Sequence, residues 1–218
     1  VAEFCHYPCE ALGFLSIFCP EGEEWVCSQP CVRVVIDSRE ESGGHDFDAA
    51  GRDVYHATLG NNPVFVESSA YLAACADEIV RGKSFCYGML PGAEQSIVVE
   101  RDVDEDFQSE LRRRGCYFLS DEQADRLVDA LFMPDGTPYR ELIAKSAFDL
   151  ARRADITVPE STKVLVVEKP YVSEYSFFSK AKFGPVLSYY VEDSWRTACE
   201  KCIELILNSG HGNALSIF

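Results

Sequence analysis

The sequence predicts an α/β fold built on a mainly parallel sheet. Short β-branched runs bounded by turn residues alternate along the chain with stretches that repeat apolar residues at helical spacing. The run Val164-Leu165-Val166-Val167 is continuously apolar, as expected of a strand buried on both faces of a parallel sheet. Strands alternating with helices place the sheet between helical layers.

The elements follow in order. Residues 11–19 are apolar and predict a strand that Pro20-Glu21-Gly22 ends, and residues 32–36 predict another. Residues 37–62 are polar, acidic and rich in glycine, and Val64-Phe65-Val66 is a short strand beyond them. Ser69 is placed to cap a helix running to about Arg81, with Leu72, Ala73, Ala76, Ile79 and Val80 on one face. Residues 88–93 read as a loop and 96–100 as a strand. Residues 102–114 predict a helix, acidic in its first turn and ending in Arg112, Arg113 and Arg114. That order suits the helix dipole, so the arginines read as a helix end and not as an anion site.

Ser120 and Gln123 form a capping box ahead of a stripe of Leu127, Val128, Leu131 and Phe132. Pro134-Asp135-Gly136 is a turn, and residues 139–154 predict one helix. A loop at 159–162 leads to the strand over 163–168, then come a strand at 186–191 and a helix at 194–208. The last helix turns Ala198, Cys202, Leu205 and Ile206 inward. The chain shows no repeat, low-complexity tract or flexible linker.

Composition narrows the partners. With 47% hydrophobic residues over 218 positions, the chain can bury a full core. The longest apolar runs are too short for a membrane span. A net charge of −16 argues against nucleic acid or anionic lipid as the main partner. Solubility accounts for that charge, and attraction to a basic partner is the sharper alternative. Ten cysteines in a chain of this length read as small hydrophobes and reduced thiols, as in a cytoplasm or an organelle matrix.

A metal site is not expected. Cys199 and Cys202 have zinc-like spacing but lack a second pair. The acidic residues 102–106 lack the calcium-loop pattern. His6, His45, His56 and His211 form no nucleophile–base arrangement. The chain starts at Val1 rather than Met, which suggests processing or a fragment.

Three colinear segments carry a family resemblance. Residues 59–67 (Leu59-Gly60-Asn61-Asn62-Pro63-Val64-Phe65-Val66-Glu67) are similar to the pattern G-P-G-N-x-P-V-F-I-E. Residues 85–100, containing Phe85-Cys86-Tyr87-Gly88-Met89-Leu90-Pro91-Gly92-Ala93-Glu94-Gln95-Ser96, resemble F-D-N-G-x-I-C-A-S-E-Q-S and the strand after it. Val158-Pro159-Glu160-Ser161-Thr162-Lys163-Val164-Leu165 resembles V-P-E-x-T-K-x-L. These patterns belong to the acylating, coenzyme A-dependent aldehyde dehydrogenases, which include one half of the bifunctional aldehyde–alcohol dehydrogenases. The resemblance implies an aldehyde-dehydrogenase-like catalytic domain over 63–218. It also implies a remnant of a Rossmann-like NAD-binding domain over 1–62, because the family's earlier cofactor-domain sequence is not in the chain.

The departures fall on the family's chemistry. Such an enzyme needs a thiolate to attack the aldehyde, donors around the oxyanion and a nicotinamide to take hydride. The family's cysteine falls on Pro91, which has neither a thiol nor a backbone N–H. Cys86 lies five residues away, ~15 Å if the loop is extended, and is a weak substitute. The family's ribose-binding glutamate falls on Ala181. Its A-T-G-G turn falls on Asp37-Ser38-Arg39-Glu40, and its G-H-T on Gly212-Asn213-Ala214. Retained from the family are Gly60, Asn61, Gly88, Glu94, Gln95, Gly184 and Pro185, mainly turn and packing residues.

The resulting expectation is a catalytically inactive, cofactor-free relative acting as a structural or accessory subunit among other protein subunits. The alternative is a divergent acylating aldehyde dehydrogenase that uses NAD and coenzyme A. A third reading is a module that binds nucleotide or acyl ligand without turnover.

Overall fold

Proline has no amide hydrogen to leave unsatisfied at a helix start, and its φ is already helical. Pro20 uses both properties. It opens helix α1 (Pro20–Ser28), whose first turn carries Glu21 and Glu23 at the positive end of the helix dipole. The expectation that Pro20-Glu21-Gly22 ends a strand is therefore corrected: the same residues begin a helix. The structure is a computed structural model that describes residues 13, 16, 19–37, 53–56, 60–133, 139–182, 184–208 and 214–218. The strand expected over 11–19 and the turn at 134–136 fall on residues outside that set, apart from isolated positions.

The chain divides into two compact units, residues 1–57 and 58–218. In the first, β1 (Val34–Asp37) pairs in parallel with β2 (Asp53–His56), with Val34 opposite Asp53 and Asp37 opposite His56. Strand β2 lies inside the polar stretch in which no strand was expected. Four residues that mix Asp, Val, Tyr and His are too short to show a period.

The second unit is a six-stranded sheet. Its strands are β3 (Asn62–Val66), β4 (Glu94–Glu100), β5 (Cys116–Leu119), β6 (Val164–Glu168), β7 (Val186–Glu192) and β8 (Ser216–Ile217). They lie in the order β5-β6-β7-β4-β3-β8, and every pairing is parallel. Helices α2 (Leu72–Ser84) and α3 (Asp104–Arg113) cover one face; α4 (Asp121–Leu131), α5 (Ala147–Arg153) and α6 (Trp195–Leu207) cover the other. Strand β6 shows the alternation: Val164 and Val166 face α2 and α3, while Leu165 and Val167 face α4 and α5. All four are essentially inaccessible, as a doubly covered strand requires.

Local chemistry sets the ends of the helices. Ser120 and Gln123 cap α4 reciprocally, and Ser194 and Thr197 do the same for α6. The Ser69 hydroxyl instead donates to Glu67, and α2 starts after Tyr71 with no side-chain cap, which corrects the expected Ser69 cap. The single helix expected over 139–154 is also broken. A 3₁₀ turn over Arg140–Leu142 is followed by Ala144 in the left-handed region (φ 57°), and Ser146 then caps a shorter α5 by accepting from the Asp149 amide. Arg112 at the end of α3 lies over the Phe118 ring, and Arg114 pairs with Glu110 and Asp77, so these arginines finish and brace the helix. No described helix is long and apolar enough to cross a membrane.

Ile79 is fully buried on α2, whereas Ile203 on α6 is 55% exposed. Replacing Ile79 with Ala should cost about 2–5 kcal/mol in chemical denaturation. The same change at Ile203 should stay within about 0.5 kcal/mol. Equal losses at both positions would contradict this packing.

Candidate functional site

The retained residues collect where three strands of the parallel sheet begin. Gly60 and Asn61 lead into β3, the loop 91–93 leads into β4, and Gly184-Pro185 leads into β7. Gly60 has φ +70°, and a Cβ there would sit 2.8 Å from the Pro91 carbonyl oxygen. The Asn62 side chain donates to that oxygen at 2.6 Å and to the Ala93 oxygen at 3.1 Å, and accepts from the Ala214 amide at 2.8 Å. Asn61, fully buried, donates to the carbonyls of Ser179 and Leu205, both at 2.9 Å. Gly88 has φ +73°, and its missing Cβ leaves room for the Gly184 carbonyl, which would otherwise stand at 2.7 Å. These are steric and hydrogen-bonding reasons for keeping Gly60, Asn61, Gly88 and Gly184, and none requires a reaction.

Two buried lysines form the center of this region, and the sequence reading missed both. Lys83 on α2 donates to Gln95 Oε1 at 2.9 Å, and the same oxygen accepts the Lys182 amide at 2.9 Å. Lys182 Nζ donates to the carbonyls of Gln95 and Lys180, both at 2.8 Å. Burial pushes the Lys83 amine down to about 7, against the opposing charge of Glu94. Burial also pulls Lys182 well down, and the Lys83 charge adds to the effect. Glu94 shifts upward because of its own burial. A signal for Lys83 was available in the sequence: it lies four residues after Ile79 and three after Val80, on the inward stripe of α2.

The positions expected to carry chemistry look different. Pro91 is exposed at the start of the 91–93 loop and its carbonyl is held by Asn62. Cys86 is also exposed, but the chain between the two is not extended. Residues 85–88 form a 3₁₀ turn in which Cys86 (φ 46°) and Tyr87 (φ 54°) are left-handed, and the Met89 amide returns to the Cys86 carbonyl. The ~15 Å separation of an extended loop therefore does not apply. Ala181 is half-buried between Lys180 and Lys182 and offers no oxygen acceptor from its side chain.

Asp37 ends β1 and is buried, while residues 38–40 and 211–213 lie outside the described set. Eight cysteines are described; Cys75, Cys116 and Cys202 are buried. Among the described residues, no three His, Cys, Asp or Glu side chains are grouped to hold a metal ion.

The chain matches no protein-family model. It is 28% identical over 170 residues to the aldehyde-alcohol dehydrogenase of Clostridium acetobutylicum, a match covering 78% of this chain and 20% of the relative. It is 28% identical over 175 residues to the acylating sulfoacetaldehyde dehydrogenase of Bilophila wadsworthia, covering 78% of this chain and 37% of that enzyme. The crystal structure of a probable aldehyde dehydrogenase from Listeria monocytogenes superposes with a TM-score of 0.89 at 28% identity, over 99% of this chain and 48% of that one.

The chain is similar to the acylating aldehyde dehydrogenases over 78% of its length. It spans about a fifth of the length of the clostridial relative and about half of the Listeria protein. The α/β fold with a parallel sheet, expected from the sequence, is the fold of these dehydrogenases.

Both buried lysines favour the folded state when neutral. Between pH ~7 and ~10 the unfolded chain binds the Lys83 proton more tightly than the folded chain does. Stability should therefore rise with pH across that window. Lys83→Met should flatten the rise, with Lys182 supplying what remains, as read from urea midpoints at the two ends. Gly88→Ala should destabilise by about 1–3 kcal/mol through the left-handed backbone and the Gly184 contact. A neutral result in thermal unfolding would refute that assignment.

Proposed function

We propose that this chain is a non-catalytic relative of the acylating aldehyde dehydrogenases that serves as an accessory subunit in an assembly with other proteins. The reading rests on Pro91, which the sequence resemblance places at the family's nucleophile position, in a loop that Asn62 anchors to β3. Losing a catalytic nucleophile costs ~10⁴–10⁶ in rate. Ala181 supports the same conclusion from the cofactor side. The surrounding turn residues have structural duties that explain their retention without turnover.

A second reading is a divergent acylating dehydrogenase that takes NAD and coenzyme A and turns an aldehyde into an acyl-coenzyme A. The relatives favour it, since each one named above is a dehydrogenase. So does the exposure of Cys86 on its left-handed turn, five residues before Pro91.

The full-length protein, incubated with short aldehydes, NAD and coenzyme A, should form no NADH above background. Cys86→Ser should leave that result unchanged. NADH formation that disappears in Cys86→Ser would establish the second reading instead. Native mass measurement of protein taken from its own source should find it in a stoichiometric complex; a lone chain would remove the accessory role.

A further inference from the structure

The opposite end of the sheet carries a groove unrelated to the family's site. Strand β5 leads through Ser120 into α4, and β6 leads directly into the loop 169–178. These two exits, at the carboxyl ends of the strands, enclose a cavity of about 550 Å³. That lies within the ~300–1,000 Å³ typical of ligand sites, at the end of an open α/β sheet where ligands usually bind.

We propose that this groove takes an arginine-rich segment of a partner protein. Asp121, Asp125 and Asp129 line one wall at a spacing of four, so they form a single stripe along α4 with carboxylates ~6 Å apart. Asp121 is tied to Lys169 at 3.2 Å. Among the described residues, Asp125 and Asp129 have no cationic partner. The facing wall presents Tyr171 and Tyr175, 70% and 90% exposed.

The loop that carries them is internally bonded. The Ser173 amide donates to Ser179 Oγ, the Ser176 amide to the Ser173 carbonyl and the Phe178 amide to Ser176 Oγ. Carboxylates and tyrosines lining one groove suit guanidinium, which pairs with a carboxylate through a planar fork and stacks on aromatic rings. Lysine satisfies only the first of these. The net charge of −16 draws such a segment in. This assignment deepens the accessory-subunit reading by naming a surface and its partner chemistry, and peptide binding is measured independently of any dehydrogenase activity.

The probe is a labelled helical peptide with arginine at every fourth position, titrated by fluorescence anisotropy into the full-length protein. Asp125→Asn with Asp129→Asn should weaken binding roughly tenfold or more. Tyr171→Ser with Tyr175→Ser should also weaken it, and a lysine version of the peptide should bind less tightly. All four positions are exposed, and circular dichroism checks that the variants fold. Glu105→Gln with Asp106→Asn removes the same charge from α3, across the sheet, and should leave binding unchanged. Equal weakening by the α3 pair, or no weakening by the α4 pair, would overturn the proposal.

Discussion

A parallel sheet gathers the beginnings of its strands at one end, where the incoming loops bring backbone groups that no ladder satisfies. Three amide side chains meet that demand in the second unit. Asn62 ties the 91–93 loop to β3, Asn61 holds the Ser179 and Leu205 carbonyls, and Gln95 joins α2 to the segment entering β7. Each of these groups would cost about 1–3 kcal/mol if buried without a partner. Gly60 and Gly88 allow the loops to approach closely enough for the amides to reach.

The same framework explains which residues the chain kept. Gly60, Asn61, Gly88, Gln95 and Gly184 answer to packing and hydrogen bonding, and all remain. The side chains of Pro91 and Ala181, the positions where the sequence resemblance would put a thiol and a carboxylate, do not belong to that network. Lys83 and Lys182 are the most demanding pieces. Both amines are buried and hydrogen-bonded to amide and carbonyl oxygens, and burial pulls both toward neutrality. They hold the loops in place at an electrostatic cost that only a well-ordered surround sustains.

The two ends of the sheet serve different demands. Where strands begin, the surface is determined by inherited turns and buried amides. Where β5 and β6 end, it is determined by exposed groups, an aspartate stripe and two tyrosines on a bonded loop. Nothing in the core forces those choices, since Asp125, Asp129, Tyr171 and Tyr175 all point out of it.

Pattern alone determined the fold class, strands β3, β4, β6 and β7 of the second unit, the capping box of α4, and the buried stripe of α2. In each case the information is local: a period, a cap or a run of β-branched residues. The sequence also gives Pro91 and Ala181 as identities that need no coordinates. Pattern failed where the deciding interaction lies outside the window. Pro20 is equally fit to stop a strand or start a helix, and the helix expected over 139–154 breaks at a left-handed Ala144 that no propensity marks. Strand β8, two residues long, exists because β3 offers an edge beside it. Only the tertiary structure decided that Lys83 and Lys182 share one buried glutamine, and that an aspartate stripe faces two tyrosines some fifty residues away. Contacts between distant segments leave no periodic trace in the chain, because they are set by how the sheet brings its loops together.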